Sequence, residues 1–182
     1  MSTMTKSLTS GFMLALFANL ALPQMTAASE RYYFNCDVPP GKFSEWNRAV
    51  IAKTAHVSGT IEMIEPRQHE RWWPVASVFL ESDEPRVQVG LQVILDAKSP
   101  DEVTIALRDA DPSSRPFVVV TSKWQKVPIA FEITLNSSGR LEISALGKSA
   151  TVQLDDFEYD SFNLSCSTGE FTFSDIVIYI EQ

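Results

Sequence analysis

Residues 87–95 read Val-Gln-Val-Gly-Leu-Gln-Val-Ile-Leu. Val87, Val89, Leu91, Val93 and Leu95 alternate with Gln88, Gly90 and Gln92, a period of two that puts one set of side chains in a core and the other on the opposite face of a strand. The same period continues downstream. Val103, Ile105 and Leu107 alternate with Thr104 and Ala106, and Phe117–Val120 is a short apolar run of the kind a fully buried strand shows. Ile129, Phe131, Ile133 and Leu135 alternate with Ala130, Glu132 and Thr134. After the turn sequence Asn136-Ser137-Ser138-Gly139 the alternation resumes at Leu141, Ile143 and Ala145, so 129–135 and 141–146 read as a hairpin. Gly147-Lys148 predicts a two-residue turn into a further short strand at Thr151–Leu154.

Toward the C-terminus the phase shifts. Phe171 and Phe173 are odd-numbered, whereas Ile176, Ile178 and Ile180 are even. A β-bulge near Ser174-Asp175 would bring both sets to one face. Helical signals are scarce: Ser44–Ala52 reads either as a short helix capped by Ser44 or as a strand. Prolines 39, 40, 66, 74, 85, 100, 112, 116 and 128 fall at spacings typical of strand ends. About ten strands without helices require two packed sheets or a barrel to bury their apolar faces, and the expectation is an all-β, two-sheet antiparallel sandwich.

The first 29 residues have a different character. Lys6 is the one charged side chain before Glu30, an apolar run spans Gly11–Leu22, and Ala27, Ala28 and Ser29 supply small residues for a cut. This is the pattern of a secretory signal peptide, residues 1–29, and the run is shorter than the roughly 20 residues that cross a bilayer. The first cysteine, Cys36, lacks the small-residue context of a lipid-anchor site. Residues 30–182 then form one domain, periplasmic or secreted, with no membrane insertion after removal of the signal. Without Lys6, 14 basic face 23 acidic side chains, a formal charge of −9. So acidic a surface repels phosphate backbones and argues against a nucleic-acid partner. Cys36 and Cys166 are both in this part, and in an oxidising compartment an even number of cysteines favours a disulfide.

The segment from Pro128 to Leu154, followed by Ser161–Ile180, resembles the closing strands of the concanavalin A-like lectin and glucanase jelly rolls, including laminin G-like modules. Gly169, Phe171, Phe173, Asp175, Ile176 and Ile178 carry the resemblance, which covers roughly residues 126–182. It implies a jelly-roll sandwich with a concave face that holds carbohydrate in many relatives; a fold does not by itself assign a function.

Chemistry-bearing groups are few. Retaining glucanases of this fold family carry a strand of the form Glu-x-Asp-x-Glu, whose alternation points three carboxylates one way. Asp156 and Glu158 match the last two positions, but Leu154 stands at the first, so the nucleophile is missing. Asp155, Asp156 and Asp160 offer hard oxygen ligands to calcium, the one cofactor the sequence suggests, without the glycine-bearing loop such sites use. A solvated acidic loop is the simpler expectation. His56 and His69 could pair with Glu62 or Glu70 around a metal or as a base, but match no ligand spacing. No nucleophile elbow and no phosphate-binding glycine loop occur. Asn136-Ser137-Ser138 and Asn163-Leu164-Ser165 fit the N-glycosylation pattern.

Arg67-Gln68-His69-Glu70-Arg71-Trp72-Trp73-Pro74 is the most distinctive stretch. Flat tryptophan faces stack on sugar C–H groups while His69, Glu70 and Arg71 bond hydroxyls, and Trp46 and Trp124 are candidates to extend the platform. The competing expectation packs one of the pair in the core with the other capping it. The leading functional expectation is a non-catalytic binding module for a glycan or polysaccharide. One alternative is a polysaccharide-acting enzyme, a glycoside hydrolase or lyase, with Glu62 converging on Glu132 or Asp156. The other is a structural or protein-binding envelope protein, since the closing Ile178-Tyr179-Ile180 resembles the last strand of pilus subunits. Against that reading, a disulfide spanning 130 positions fits those subunits poorly.

Overall fold

The computed structural model describes residues 30–83, 86–96, 99, 101–108, 117–154 and 157–179, and all of its regular structure is strand. Ten strands follow one another: β1 (Glu30–Ala52), β2 (Ala55–Pro66), β3 (Val75–Asp83), β4 (Arg86–Leu95), β5 (Glu102–Arg108), β6 (Phe117–Lys123), β7 (Ile129–Leu135), β8 (Arg140–Ala145), β9 (Lys148–Gln153) and β10 (Tyr159–Tyr179). Every pairing is antiparallel. The expected signal peptide and Ile180 lie outside the described residues. Ser44–Ala52, open to a helical reading, is strand and continues β1.

Two strands of 23 and 21 residues organise the rest. The first half of β10, to Ser167, pairs with β3 on one side and with Phe43–Ala52 of β1 on the other. Its second half, from Gly169, pairs with β2 and with Glu30–Val38 of β1. One sheet is therefore β6-β5-β4-β3-β10-β1 and the other β9-β8-β7-β2-β10-β1, with β1 and β10 running through both. Within the single strand β1, Tyr32 and Trp46 bring their ring centroids to 5.1 Å, and Arg48 lies over the Tyr32 ring. An extended strand would separate residues 14 apart by about 46 Å, so β1 must fold back and place its halves in facing layers. The inward residues of both layers, among them Val78, Leu91 and Ile105 from one and Ile61, Phe131 and Ile133 from the other, form one continuous core. This is the antiparallel sandwich that the alternation requires.

The fold-back has a local cause. Between the pairs Val38–Gly169 and Phe43–Ser167, β1 has four residues where β10 has one. Pro39, Pro40, Gly41 and Lys42 form the bend, prolines supplying no ladder donors and Gly41 taking φ 73°. Opposite them Thr168 takes φ 55°, and its hydroxyl accepts the Gly41 N–H at 3.3 Å. The Cys36–Cys166 disulfide ties the two strands across this corner, with Cα atoms 6.2 Å apart.

The phase shift in β10 is resolved by a bulge where the sequence called for one. Ser174 pairs with Thr60 and Val177 with Ser58, Asp175 takes φ 51°, and Phe171, Phe173, Ile176 and Ile178 are all buried. The expected β7–β8 hairpin forms, with Leu135 opposite Leu141, and Asn136 Oδ1 accepts the backbone N–H groups of Ser138 and Arg140. The next turn differs by one residue from expectation. Ala145 pairs with Lys148, so the central residues are Leu146 and Gly147, at φ 52° and 70°. Both central angles are positive, the twist a two-residue hairpin turn favours, and glycine occupies the second position.

Candidate functional site

On the outer face of the β3-containing sheet, antiparallel pairing aligns side chains that the sequence presents as the solvent alternates of each strand. Rows run across it: Phe43, Ser167 and Val75; then Glu45, Ser165, Ser77 and Gln92; then Asn47, Asn163, Phe79 and Gly90; then Ser161, Glu81 and Gln88. All of these but Asn47, Gly90, Ser161 and Glu81 line the floor of an open hollow of about 690 Å³, rimmed by Arg71, Trp72 and Trp73. Phe79 is the floor's aromatic centre. A Cβ on Gly90 would stand 2.1 Å from the Val78 carbonyl oxygen and 3.1 Å from the Phe79 ring, so the ring occupies the room that glycine leaves. Gln88 and Gln92 flank Gly90 on the same face.

The rim loop is moored rather than loose. The Arg67 guanidinium reaches Asp37 Oδ1 at 2.6 Å, the Val38 carbonyl at 2.7 Å and Glu65 Oε2 at 2.8 Å. Its hydrogen bonds to Asp37 and Glu65 raise the Arg67 pKa above its ordinary value. Its backbone N–H donates to Thr168 O at 3.0 Å. His69 packs over Gly41, and its Nδ1 accepts the Arg71 N–H at 3.2 Å. At the far end Ser167 Oγ donates to Trp73 O at 2.9 Å. Between these anchors Trp72 and Trp73 are 46% and 47% exposed. Neither packs in the core, so the arrangement of one buried and one capping ring is not adopted.

Of the residues singled out from the sequence, Arg71, Trp72 and Trp73 line the hollow. His69 is a packing residue beneath the loop, and Glu70 is exposed on it away from the lining. The other two tryptophans do not extend a platform. Trp46 packs inward, 6.3 Å from Phe162, and Trp124 lies beyond β6 with Lys126 over its ring. The floor residues Gln88, Gln92, Ser77, Asn163 and Phe79 went unrecognised as a group, because only the strand order brings them together.

The carboxylates do not converge. Glu62 and Glu132 lie on the outer face of the other sheet. Ser58, not Glu62, pairs with Glu132, leaving about 13 Å of strand between the two acids. His56 meets Glu132 there at 3.4 Å, not Glu62 or a metal set. Of the acidic segment, Leu154, Phe157 and Glu158 lie between β9 and β10 and belong to no strand. Leu154 is buried, Glu158 lines a separate hollow with Lys53 and Ser138, and Asp155 and Asp156 lie outside the described residues. Asp160 is on β10. Among the described residues no three His, Cys, Asp or Glu side chains group to hold a metal. Of the two glycosylation patterns, Asn136 is exposed in a turn, whereas Asn163 is buried and bonded to Asn47.

No protein-family model matches the chain, and no curated protein matches it in sequence. Solved structures do match. A β-glucanase of Bacillus licheniformis superposes with TM-score 0.55 at 9% identity, over 84% of this chain and 79% of that one. The legume lectin-like domain from Entamoeba histolytica gives 0.51 at 13% identity, over 82% and 90%. An alginate lyase of Pseudomonas aeruginosa gives 0.53 at 17% identity, over 71% of this chain and 65% of that one. The fold is a concanavalin A-like jelly roll. The chain spans about two thirds of the lyase's length. Jelly rolls of this kind thus include both enzymes and a lectin-like domain, and what this jelly roll does has to be argued from its own hollow.

Proposed function

We propose that the chain is an exported, non-catalytic binding module for carbohydrate, with the Trp72–Trp73 rim and the β3 floor as its binding surface. The observation that carries the reading is two half-exposed indoles on a moored loop above a floor of amides and hydroxyls. Exposed aromatic faces bind the apolar faces of sugars, and convergent neutral polar groups bond their hydroxyls. Among the described residues, the ionisable side chains lining the hollow are Glu45 and Arg71, one acid and one base, with no histidine. That set favours a binder over an acid–base enzyme, which works best with a group titrating near the operating pH. The disulfide fits an oxidising periplasmic or extracellular location.

The test is titration of the purified protein with a polysaccharide panel, followed by intrinsic tryptophan fluorescence with and without calcium. A saturable shift with one sugar class, lost in the Trp72→Ala/Trp73→Ala variant while the unfolding midpoint stays unchanged, supports the module. Shortening of the bound polysaccharide on long incubation makes it an enzyme instead. Silence across the panel leaves a protein-binding envelope role.

A further inference from the structure

We infer that two copies of the chain associate through β6, with the Phe117 ring of each seated in an apolar pocket at the far end of the other's β6; this holds whatever the hollow binds. The edge strands β6 and β9 lie near one another on one flank of the sandwich. The two edges are built differently. β9 starts at Lys148 and keeps Ser149, Thr151 and Gln153 exposed, a polar edge of the kind that avoids pairing with other chains. Among the described residues β6 pairs with β5 alone, and the run Phe117-Val118-Val119-Val120-Thr121-Ser122 holds no charge and no proline. Phe117 and Val118 are 65% and 54% exposed. Such an edge is a template for another strand.

Where β6 ends, a cavity of about 160 Å³ opens on the same flank. Val103 and Ile129, core residues of the two facing sheets, form its base, and Trp124, Val127 and Leu146 its apolar walls. Backbone strain marks the same place. Among the described residues, the non-glycine positions with positive φ are Lys126, Leu146, Thr168 and Asp175. Thr168 serves the corner and Asp175 the bulge; Lys126 and Leu146 sit in the two loops that wall the pocket. Asparagine or glycine would meet the β8–β9 turn without strain where Leu146 stands. The leucine, 41% exposed, does nothing for the turn and gives the pocket a wall.

Pocket and ring fit one another. An apolar cavity of roughly 150 Å³ holds a benzene molecule, and Trp124 offers the phenyl group an aromatic neighbour. The register supplies the placement. Phe117 stands opposite Leu107, Val120 opposite Ile105 and Ser122 opposite Val103, and all three partners face the core. The register shift between Ile105 and Ala106 thus sets Phe117 and Ser122 on one face, although one is odd-numbered and the other even. Antiparallel pairing of β6 with a second β6, about a two-fold axis at Val119–Val120, brings Phe117 of each copy opposite Ser122 of the other. Ser122 lines the pocket. Each copy supplies one ring and one seat, the self-complementarity that an isologous interface requires. The axis stands perpendicular to the joined sheet, so the hollows of both copies, on its outer face, look the same way and a long polymer can span them.

Sedimentation equilibrium of the purified protein across a dilution series is the test, with amide hydrogen exchange at the two ends of the series. Expected is reversible dimerisation with a dissociation constant on the order of 10 µM, and protection of the β6 amides that grows with concentration. Phe117→Ser removes the ring and Leu146→Asn a wall of its seat. Each should weaken the dimer at least about tenfold, and the two together little further, because both remove one contact. Leu146→Asn should leave the urea midpoint unchanged or raise it. A monomer up to about 100 µM, ten times the expected constant, overturns the association. A dimer that survives both variants, or protection confined to other strands, overturns the seat assigned to Phe117. A lowered urea midpoint in Leu146→Asn overturns the claim that the leucine serves the pocket and not the fold.

Discussion

Replacing both Cys36 and Cys166 with alanine removes a cross-link between residues 130 positions apart. In the chain-entropy model, closing a loop of that length lowers the entropy of the unfolded ensemble enough to stabilise the native state by about 5 kcal/mol. Both sulfurs are buried, so their removal also leaves small gaps in the core, adding roughly 1 kcal/mol. The sum is comparable to the whole stability of an ordinary domain, ~5–15 kcal/mol. Other tethers at the corner survive the change: the Arg67 clamp, the Thr168 hydroxyl and the continuous β1–β10 ladder. The native fold should therefore persist in dilute buffer but unfold much earlier. With a urea slope of about 2 kcal/mol/M, the midpoint should fall by roughly 2–3 M, and the slope itself should rise as the unfolded chain loses its constraint. Equilibrium urea unfolding followed by tryptophan fluorescence measures both. A midpoint shift under about 0.5 M would refute the reasoning, by showing that the bond closes no loop the unfolded chain would otherwise explore.

Burial pushes the Tyr159 phenol up to about 12, and its hydroxyl donates to Thr54 O at 2.7 Å. The folded value is raised above the unfolded one, so its contribution is fully present below about pH 10 and lost as pH rises toward 12. Thermal melts between those values should fall more steeply in the native protein than in Tyr159→Phe. Gly90→Ala drives a Cβ to 2.1 Å from Val78 O at φ 153°, and should cost at least about 2–3 kcal/mol and displace Phe79, read as a lowered midpoint with lost ligand response. Inserting one alanine after Asp175 slips the end of β10 by one residue and turns Ile176 and Ile178 outward, at about 3–6 kcal/mol. By contrast Asp175→Gly, which keeps the bulge and suits φ 51°, should match the parent in urea or exceed it by up to ~1 kcal/mol.

The strands that the sequence displays most openly are those with one wet face. Residues 87–95, 129–135 and 141–145 alternate because their outward side chains meet solvent or the hollow, and the periodicity places them correctly. β3 is harder to read for a reason tied to the site. Ala76, Val78 and Leu80 face the core, but Val75 and Phe79 face the hollow and are apolar too, so from Val75 to Leu80 the strand has Ser77 as its one polar alternate. An apolar residue on the outer face of a sheet conceals the period and at the same time marks where something other than bulk water is expected. β2 is obscured differently, by the run Ser58-Gly59-Thr60 where Gly59 packs beneath Ile176 and Phe131. The tryptophan loop was legible as composition, because two adjacent indoles among charges stand out in any chain. Its exposure was not, since that depends on Arg67, His69 and Ser167 meeting residues far away in sequence.

The same asymmetry explains why the carboxylates misled and the amides were overlooked. Period-two spacing places groups on one face only where the segment is a strand, and Leu154 and Glu158 lie outside the strands. The floor of the hollow draws single side chains from β1, β3, β4 and β10, none with a local signature: a glutamine alternating with valine looks like any solvated strand position. What distinguishes Gln88 is its cross-strand pairing with Glu81, whose Oε1 accepts from its amide nitrogen at 2.5 Å. The lining of the hollow is thus a property of strand register, and a one-residue slip of β4 against β3 would turn Gln88, Gly90 and Gln92 into the core and take both glutamines out of the floor.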